Sequence, residues 1–114
     1  MRKIAVFLVL LLAVAVRCAY AHTPSEMKIS FDPETKVLKL VIMHDTPDVV
    51  LHYIKRVNVE LNGKEVINDV LARQENDKSE TLSYTIPNAK PGDIITVYVR
   101  CSIIGRLKGK IKVE

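Results

Sequence analysis

Residues 53–70 read YIKRVNVELNGKEVINDV and have a strand-turn-strand pattern. In its first half Val57, Val59 and Leu61 alternate with polar residues, as they do in a β-strand that is buried on one face. Asn62-Gly63 is the preferred pair for a two-residue type I′ turn, and strand-like residues resume directly after it. The stretch therefore predicts an antiparallel β-hairpin.

The same alternation, or a high content of β-branched residues, recurs along the chain after residue 22. The predicted strands are Met27–Phe31, Lys36–Met43, Tyr53–Leu61, Lys64–Val70, Glu80–Ile86, Asp93–Arg100 and Leu107–Val113. Asp32-Pro33-Glu34-Thr35 suits a type I turn, Pro91-Gly92 suits a type II turn, and the polar segment 73–79 predicts a solvated connection. No helical period of useful length is present. Seven short strands predict an all-β, immunoglobulin-like, seven-stranded antiparallel β-sandwich, with a small β-barrel as the main alternative.

The N-terminus has the three parts of a secretory signal peptide. A cationic start is followed by an unbroken apolar run of 13 residues, Ile4–Val16, and then by Ala19-Tyr20-Ala21, the small-x-small pattern that a signal peptidase accepts. A run of this length is short for a membrane span, which needs about 20 apolar residues. We expect residues 1–21 to be removed and the protein to be exported to the periplasm or the extracellular space. An uncleaved membrane anchor is the alternative.

The mature chain, residues 22–114, is then one small domain with almost balanced charge. Removing Arg2, Lys3 and Arg17 leaves 14 of the 17 basic residues against 13 acidic ones. The basic character of the whole chain therefore belongs to the signal peptide. This balance gives no basis for nucleic-acid binding, and no membrane association is expected after cleavage.

Cysteine content points to a special role for one thiol. Cys18 leaves with the signal peptide, so Cys101 has no intramolecular partner in an oxidising compartment, where lone thiols are usually avoided. One interpretation is an inert buried cysteine at the end of a strand. The other is a thiolate that binds a metal ion and is protected by it.

Strand order brings this cysteine together with all three histidines. His22 precedes the first strand, His44 follows the second, His52 opens the third and Cys101 follows the sixth. If successive strands alternate in direction, these four positions lie at one end of the sandwich. Parity along the strands predicts that His44 and Cys101 point into the core and that His52 points away from it. Imidazole and thiolate groups suit iron, copper or zinc rather than magnesium or calcium.

The same residues resemble a known family. His22-Thr23-Pro24, His44 with Pro47, His52-Tyr53-Ile54 and Cys101 with Gly105 are similar, in order, to the pattern H-x-P … H-P … H-[HY]-I … C-N-x-H-G of the iron-binding domain of desulfoferrodoxins and neelaredoxins, the superoxide reductases. The resemblance covers nearly all of residues 22–114. It implies an immunoglobulin-like sandwich that binds one ferrous ion and reduces superoxide to hydrogen peroxide by one electron. It further implies that His22, His44 and His52 are equatorial ligands and Cys101 the axial ligand.

Two departures from the family pattern keep other functions open. Ile104 stands where the family has its fourth histidine, and the family's Glu-Lys pair before the first histidine falls within the predicted signal peptide. If His22 becomes the N-terminus, its α-amine and ring together could chelate a metal, an arrangement that also favours copper. The alternatives are thus a periplasmic copper carrier and a metal-free module that binds a protein partner. The resemblance implies a small electron-transfer donor protein as partner, and a homo-oligomer remains open.

Overall fold

The structure is a computed structural model in which residues 23–114 are described; the predicted signal peptide, residues 1–21, and His22 lie outside the described residues. Seven β-strands form the domain: β1 (Glu26–Asp32), β2 (Val37–Met43), β3 (Ile54–Leu61), β4 (Lys64–Val70), β5 (Ser79–Thr85), β6 (Ile94–Cys101) and β7 (Arg106–Lys112). In this described part no helix is long and apolar enough to cross a membrane.

The strands form two antiparallel sheets, which confirms the predicted sandwich. One sheet has the order β1-β2-β5 and the other has the order β4-β3-β6-β7. Each observed strand starts and ends within one residue of the predicted segment. The crossovers from β2 to β3, from β4 to β5 and from β5 to β6 carry the chain from one sheet to the other. The segments after β2 and β6 and before β3 therefore lie at one end of the sandwich.

The core is formed by the alternating apolar residues of the inner strands. Fully buried aliphatic side chains come from both sheets: Leu38, Leu40, Ile42, Ile54, Val57, Val59, Ile95, Val97 and Val99. Burying each such side chain contributes roughly 1.5–3 kcal/mol relative to leaving it exposed. This packing fixes the two sheets against each other, so the ends of their strands are held at defined positions.

The turns follow the sequence signals. Asn62 and Gly63 have φ values of 52° and 84°, as a type I′ turn requires. Gly92 has a φ of 91°, and the Asp93 N–H donates to the Lys90 carbonyl at 3.0 Å, which confirms the tight turn at Pro91-Gly92. Both turns therefore form where the sequence pattern predicts them.

Candidate metal centre

Three of the four residues expected to bind a metal come together at one end of the sandwich. Their potential ligand atoms, one ring nitrogen each of His44 and His52 and Sγ of Cys101, all lie within 4.8 Å of one another. The three side chains are buried, with 1–3% exposure. The two imidazole rings meet edge to face, with centroids 4.8 Å apart. His22 lies outside the described residues.

Strand geometry places Cys101 and His44. Cys101 is the last residue of β6 and is the register partner of Ile54, the first residue of β3. It continues the inward alternation of its strand and is buried, as predicted. His44 directly follows β2, and its N–H donates to the Lys78 carbonyl at 2.9 Å, so it continues that strand for one residue. Its burial confirms the predicted inward direction.

The prediction that His52 points away from the core is wrong, because His52 does not belong to a strand. Its N–H donates to the Asp48 carbonyl at 2.9 Å, and the Asp48 Oδ1 accepts hydrogen bonds from the N–H groups of Val50 and Leu51. A turn therefore precedes β3, and the register shifts again between Ile54 and Arg56. Strand parity cannot be extended through these irregularities, and the ring turns inward against His44.

Sequence analysis missed Gln74, which is fully buried beside the cluster. Its side-chain Nε2 donates to the carbonyls of His44 and Asn76, both at 2.8 Å. Its Oε1 accepts from the Ile54 N–H at 3.3 Å and lies 2.7 Å from Nδ1 of His44. The prediction of a solvated connection over residues 73–79 is thus wrong for this residue. A lone glutamine in a polar run carries no sequence signal of burial.

The contacts of Gln74 determine how His44 presents its ring. Two carbonyl groups face the Nε2 end of the amide, so the other end is the oxygen, which only accepts hydrogen bonds. Nδ1 of His44 must therefore carry the hydrogen in its 2.7 Å contact with Gln74. Nε2 of His44 is then the nitrogen whose lone pair can bind an ion. A partner of this kind fixes both the tautomer and the orientation of a metal-binding histidine.

The two loops at this end are pinned by further hydrogen bonds. The buried Thr46 hydroxyl donates to the His52 carbonyl at 2.6 Å, and the Thr46 N–H donates to the Asp77 carbonyl at 2.9 Å. The Gln74 N–H in turn donates to the Val49 carbonyl at 2.9 Å. The loop that carries both histidines is therefore bonded to the segment that carries Gln74.

A buried carboxyl group holds that same segment. Glu80 is 6% exposed, and its Oε2 accepts a hydrogen bond from the Glu75 N–H at 2.5 Å. Burial raises the pKa of the Glu80 carboxyl, and the hydrogen bond from Glu75 opposes this shift in part. Glu80 thus fixes the residue that follows Gln74.

The loop after Cys101 depends on glycine. The Cys101 N–H donates to the Gly105 carbonyl at 3.1 Å, which closes the loop. Gly105 has a φ of 99°, and a β-carbon at this position would lie 3.1 Å from Cα of Thr23. Thr23, the first described residue, therefore packs at the same end of the sandwich as the cluster. Ile104, which stands where the family has a histidine, is 63% exposed.

The donor set fits a transition metal. Protein ligands bind such an ion at about 2.0–2.3 Å and therefore lie roughly 3–4.5 Å from one another. The observed limit of 4.8 Å is within a few tenths of an ångström of that range. Two imidazoles and a thiol suit iron, copper or zinc and are unsuited to magnesium or calcium. The residues present can thus hold an ion with small side-chain movements.

Comparisons with known proteins agree with the fold. No family model and no curated protein matches the chain. Among solved structures, the chain is similar to hypothetical protein PH1083 from Pyrococcus horikoshii OT3, with a TM-score of 0.50 and 14% identity over 82% of this chain and 92% of that chain. It is also similar to superoxide reductase (neelaredoxin) from Ignicoccus hospitalis, with a TM-score of 0.47 and 12% identity over 80% of this chain and 82% of that chain. Superoxide reductase from Nanoarchaeum equitans gives a TM-score of 0.44 and 15% identity over 82% of this chain and 93% of that chain. The similarity to PH1083 shows a shared fold.

Proposed function

We propose that this protein binds a single iron ion through His44, His52 and Cys101 and is a divergent relative of the superoxide reductases. The observation that carries the proposal is the buried cluster in which two imidazoles and a thiol lie within 4.8 Å of one another. The donor set alone suits iron, copper or zinc. The ordered resemblance of the sequence to the superoxide reductase pattern supports the proposal of iron among them.

His22 is the proposed fourth ligand residue. Thr23, the next residue, packs against Gly105 in the loop that follows Cys101, which supports a position for the chain start near the cluster. If the signal peptide is removed before His22, both the ring and the new α-amine become available as nitrogen ligands. These nitrogens compensate for the histidine ligand that is missing at position 104, where this chain has an isoleucine. N-terminal sequencing of the exported protein tests it, because the proposal requires His22 to be the first residue.

When bound, iron supplies a one-electron couple that can reduce superoxide, with two protons, to hydrogen peroxide. The residues of the chain prepare the site for that chemistry. The Cys101 thiolate would be the strongest electron donor among the ligands. Hydrogen bonds to such a sulfur, and its burial, tune the reduction potential of a bound iron ion. Gln74 holds the His44 ring through Nδ1, so Nε2 is the nitrogen that would bind the ion, and the apolar core beneath excludes water from one side of the site.

The proposal includes export to the periplasm or extracellular space and a small electron-transfer protein that supplies the electron. Export rests on the signal-peptide pattern of residues 1–21. The electron donor follows from stoichiometry, since each superoxide reduced consumes one electron that the site must regain.

Analysis of the natively exported protein tests the function. We expect one equivalent of iron, a visible thiolate-to-ferric charge-transfer band, and reduction of superoxide to hydrogen peroxide without release of dioxygen. Cys101→Ser should abolish the band and lower the activity at least tenfold. Ile103→Ser, which places a serine at an exposed position of the same loop, is the matched control and should change neither. One equivalent of tightly held copper with no reductase activity, or full activity in Cys101→Ser, would contradict the proposal.

A further inference from the structure

The outer face of the four-stranded sheet carries three arginines in a row. In the strand register Arg56 of β3 pairs with Arg100 of β6, and Arg100 pairs with Arg106 of β7. Neighbouring strands lie about 4.8 Å apart, so the Cα atoms of the three arginines lie within roughly 10 Å of one another. Like charges placed directly opposite each other destabilise a sheet. The row therefore costs stability unless something outside the chain compensates it.

Among residues 23–114 no carboxylate forms an ion pair with Arg56, Arg100 or Arg106. The ion pair found among residues 23–114 joins Lys78 to Asp45, elsewhere in the domain. Arg56 instead donates from Nη1 to the neutral Asn68 Oδ1 at 3.0 Å. The net charge of the domain is almost balanced, but this face carries a local surplus of positive charge.

The row borders a concave surface of suitable size for a small ligand. Its volume is about 880 Å³, and beyond the arginines it is lined by Asn58, Tyr98 and Lys108. Binding sites for small molecules occupy about 300–1,000 Å³. The Lys108 ammonium lies 5.4 Å from the centroid of the Tyr98 ring and extends the positive charge beyond the row.

The far end of the same concavity is acidic, which limits the shape of the ligand. Glu60 and Glu65 line it there, and Glu65 accepts a hydrogen bond from the Asn58 side chain at 2.6 Å. An extended polyanion, such as a nucleic acid or a strongly acidic protein surface, would place negative charge against these glutamates. A compact ligand with its negative charge at one end avoids that repulsion.

We propose that the arginine row of Arg56, Arg100 and Arg106 binds a compact oxyanion ligand of the phosphate type, with Arg100 at the centre. The planar fork of each guanidinium matches the oxygens of a phosphate group, and charge-assisted contacts of this kind are about twice as strong as neutral hydrogen bonds. The site is separate from the metal centre, because Arg100 is exposed on the outer face whereas Cys101, the next residue, is buried. The proposal therefore does not depend on the identity of the metal.

Titration of the processed protein with inorganic phosphate and pyrophosphate, followed by amide NMR, tests the site. We expect saturable shifts centred on residues 56, 100 and 106, with pyrophosphate binding more tightly than phosphate. Arg100→Gln should weaken pyrophosphate binding at least tenfold. Lys39→Gln removes the same charge from an exposed position of the other sheet and should change the affinity for pyrophosphate less than twofold. Metal content, measured in parallel, should be the same in both variants.

Several results would overturn the assignment. Equal weakening in both variants would show that only net charge matters and that phosphate is an adventitious ion only. Chemical-shift changes that rise linearly with phosphate concentration, or that spread over other faces of the domain, would also show that phosphate is an adventitious ion only. Tighter binding of a single-stranded oligonucleotide or an acidic peptide than of pyrophosphate would contradict a compact ligand. Because these outcomes do not involve the metal, the failure of this proposal is distinguishable from failure of the proposed function.

Discussion

Replacing Gln74 with methionine removes an amide from the buried end of the sandwich while keeping the length of the side chain. The His44 and Asn76 carbonyls, the Ile54 N–H and Nδ1 of His44 each lose a hydrogen-bond partner. A buried polar group left without its partner costs about 1–3 kcal/mol, although entering water satisfies some of these groups. We therefore expect Gln74→Met to lower the free energy of unfolding by about 2–4 kcal/mol. A domain of this size has a total of roughly 5–14 kcal/mol.

Urea unfolding of the metal-free protein measures this loss directly. Asn68→Ala is the control, because it removes an exposed side-chain amide that makes one hydrogen bond to Arg56, and it should cost less than about 0.5 kcal/mol. Nitrogen-15 NMR of the imidazoles should show that His44 carries its hydrogen on Nδ1 in the native protein and loses this preference in Gln74→Met. Metal affinity should fall about 10–100-fold, as it does when the partner of a metal-binding histidine is removed.

A loss below about 1 kcal/mol would show that the hydrogen bonds of this amide contribute little to the stability of the site. A His44 ring that keeps its hydrogen on Nδ1 in Gln74→Met would refute the claim that Gln74 sets the tautomer.

Two further predictions concern the loops around the cluster. Because burial raises the pKa of Glu80, the folded protein binds its proton more readily than the unfolded chain, so stability should fall as pH rises from the ordinary carboxyl range through the raised pKa. Glu80→Gln should flatten this dependence in urea unfolding measured between pH 4 and pH 8, and an unchanged slope would contradict it. Gly105→Ala should cost about 1–3 kcal/mol, because it strains a positive φ and crowds Thr23. Gly63→Ala, at a positive φ in open space, should cost less, and the reverse order would refute the packing argument.

Side-chain direction is predictable from the sequence wherever a residue continues a regular strand. The strand pattern and the Asn62-Gly63 pair fixed the central hairpin, and parity placed His44 and Cys101 correctly because β2 and β6 extend to them without interruption. Parity failed for His52 because a turn and a register shift separate it from β3.

Other features of the site depend on tertiary contacts that no local pattern records. Gln74 lies in a polar run, and its burial follows from hydrogen bonds to two other loops. The arginine row joins residues 56, 100 and 106, which are far apart in sequence and become neighbours only through the pairing of three strands. Cross-strand register, which the alternation pattern leaves undetermined between distant strands, is the missing information.

Cobalt(II) titration of the metal-free domain tests most directly whether the histidines and the thiol at the tip of the sandwich bind one ion together. We expect saturation at one equivalent with a sulfur-to-cobalt absorption band, and loss of that band in Cys101→Ser. Binding without the band, or a titration curve that the serine variant reproduces unchanged, would contradict a shared site.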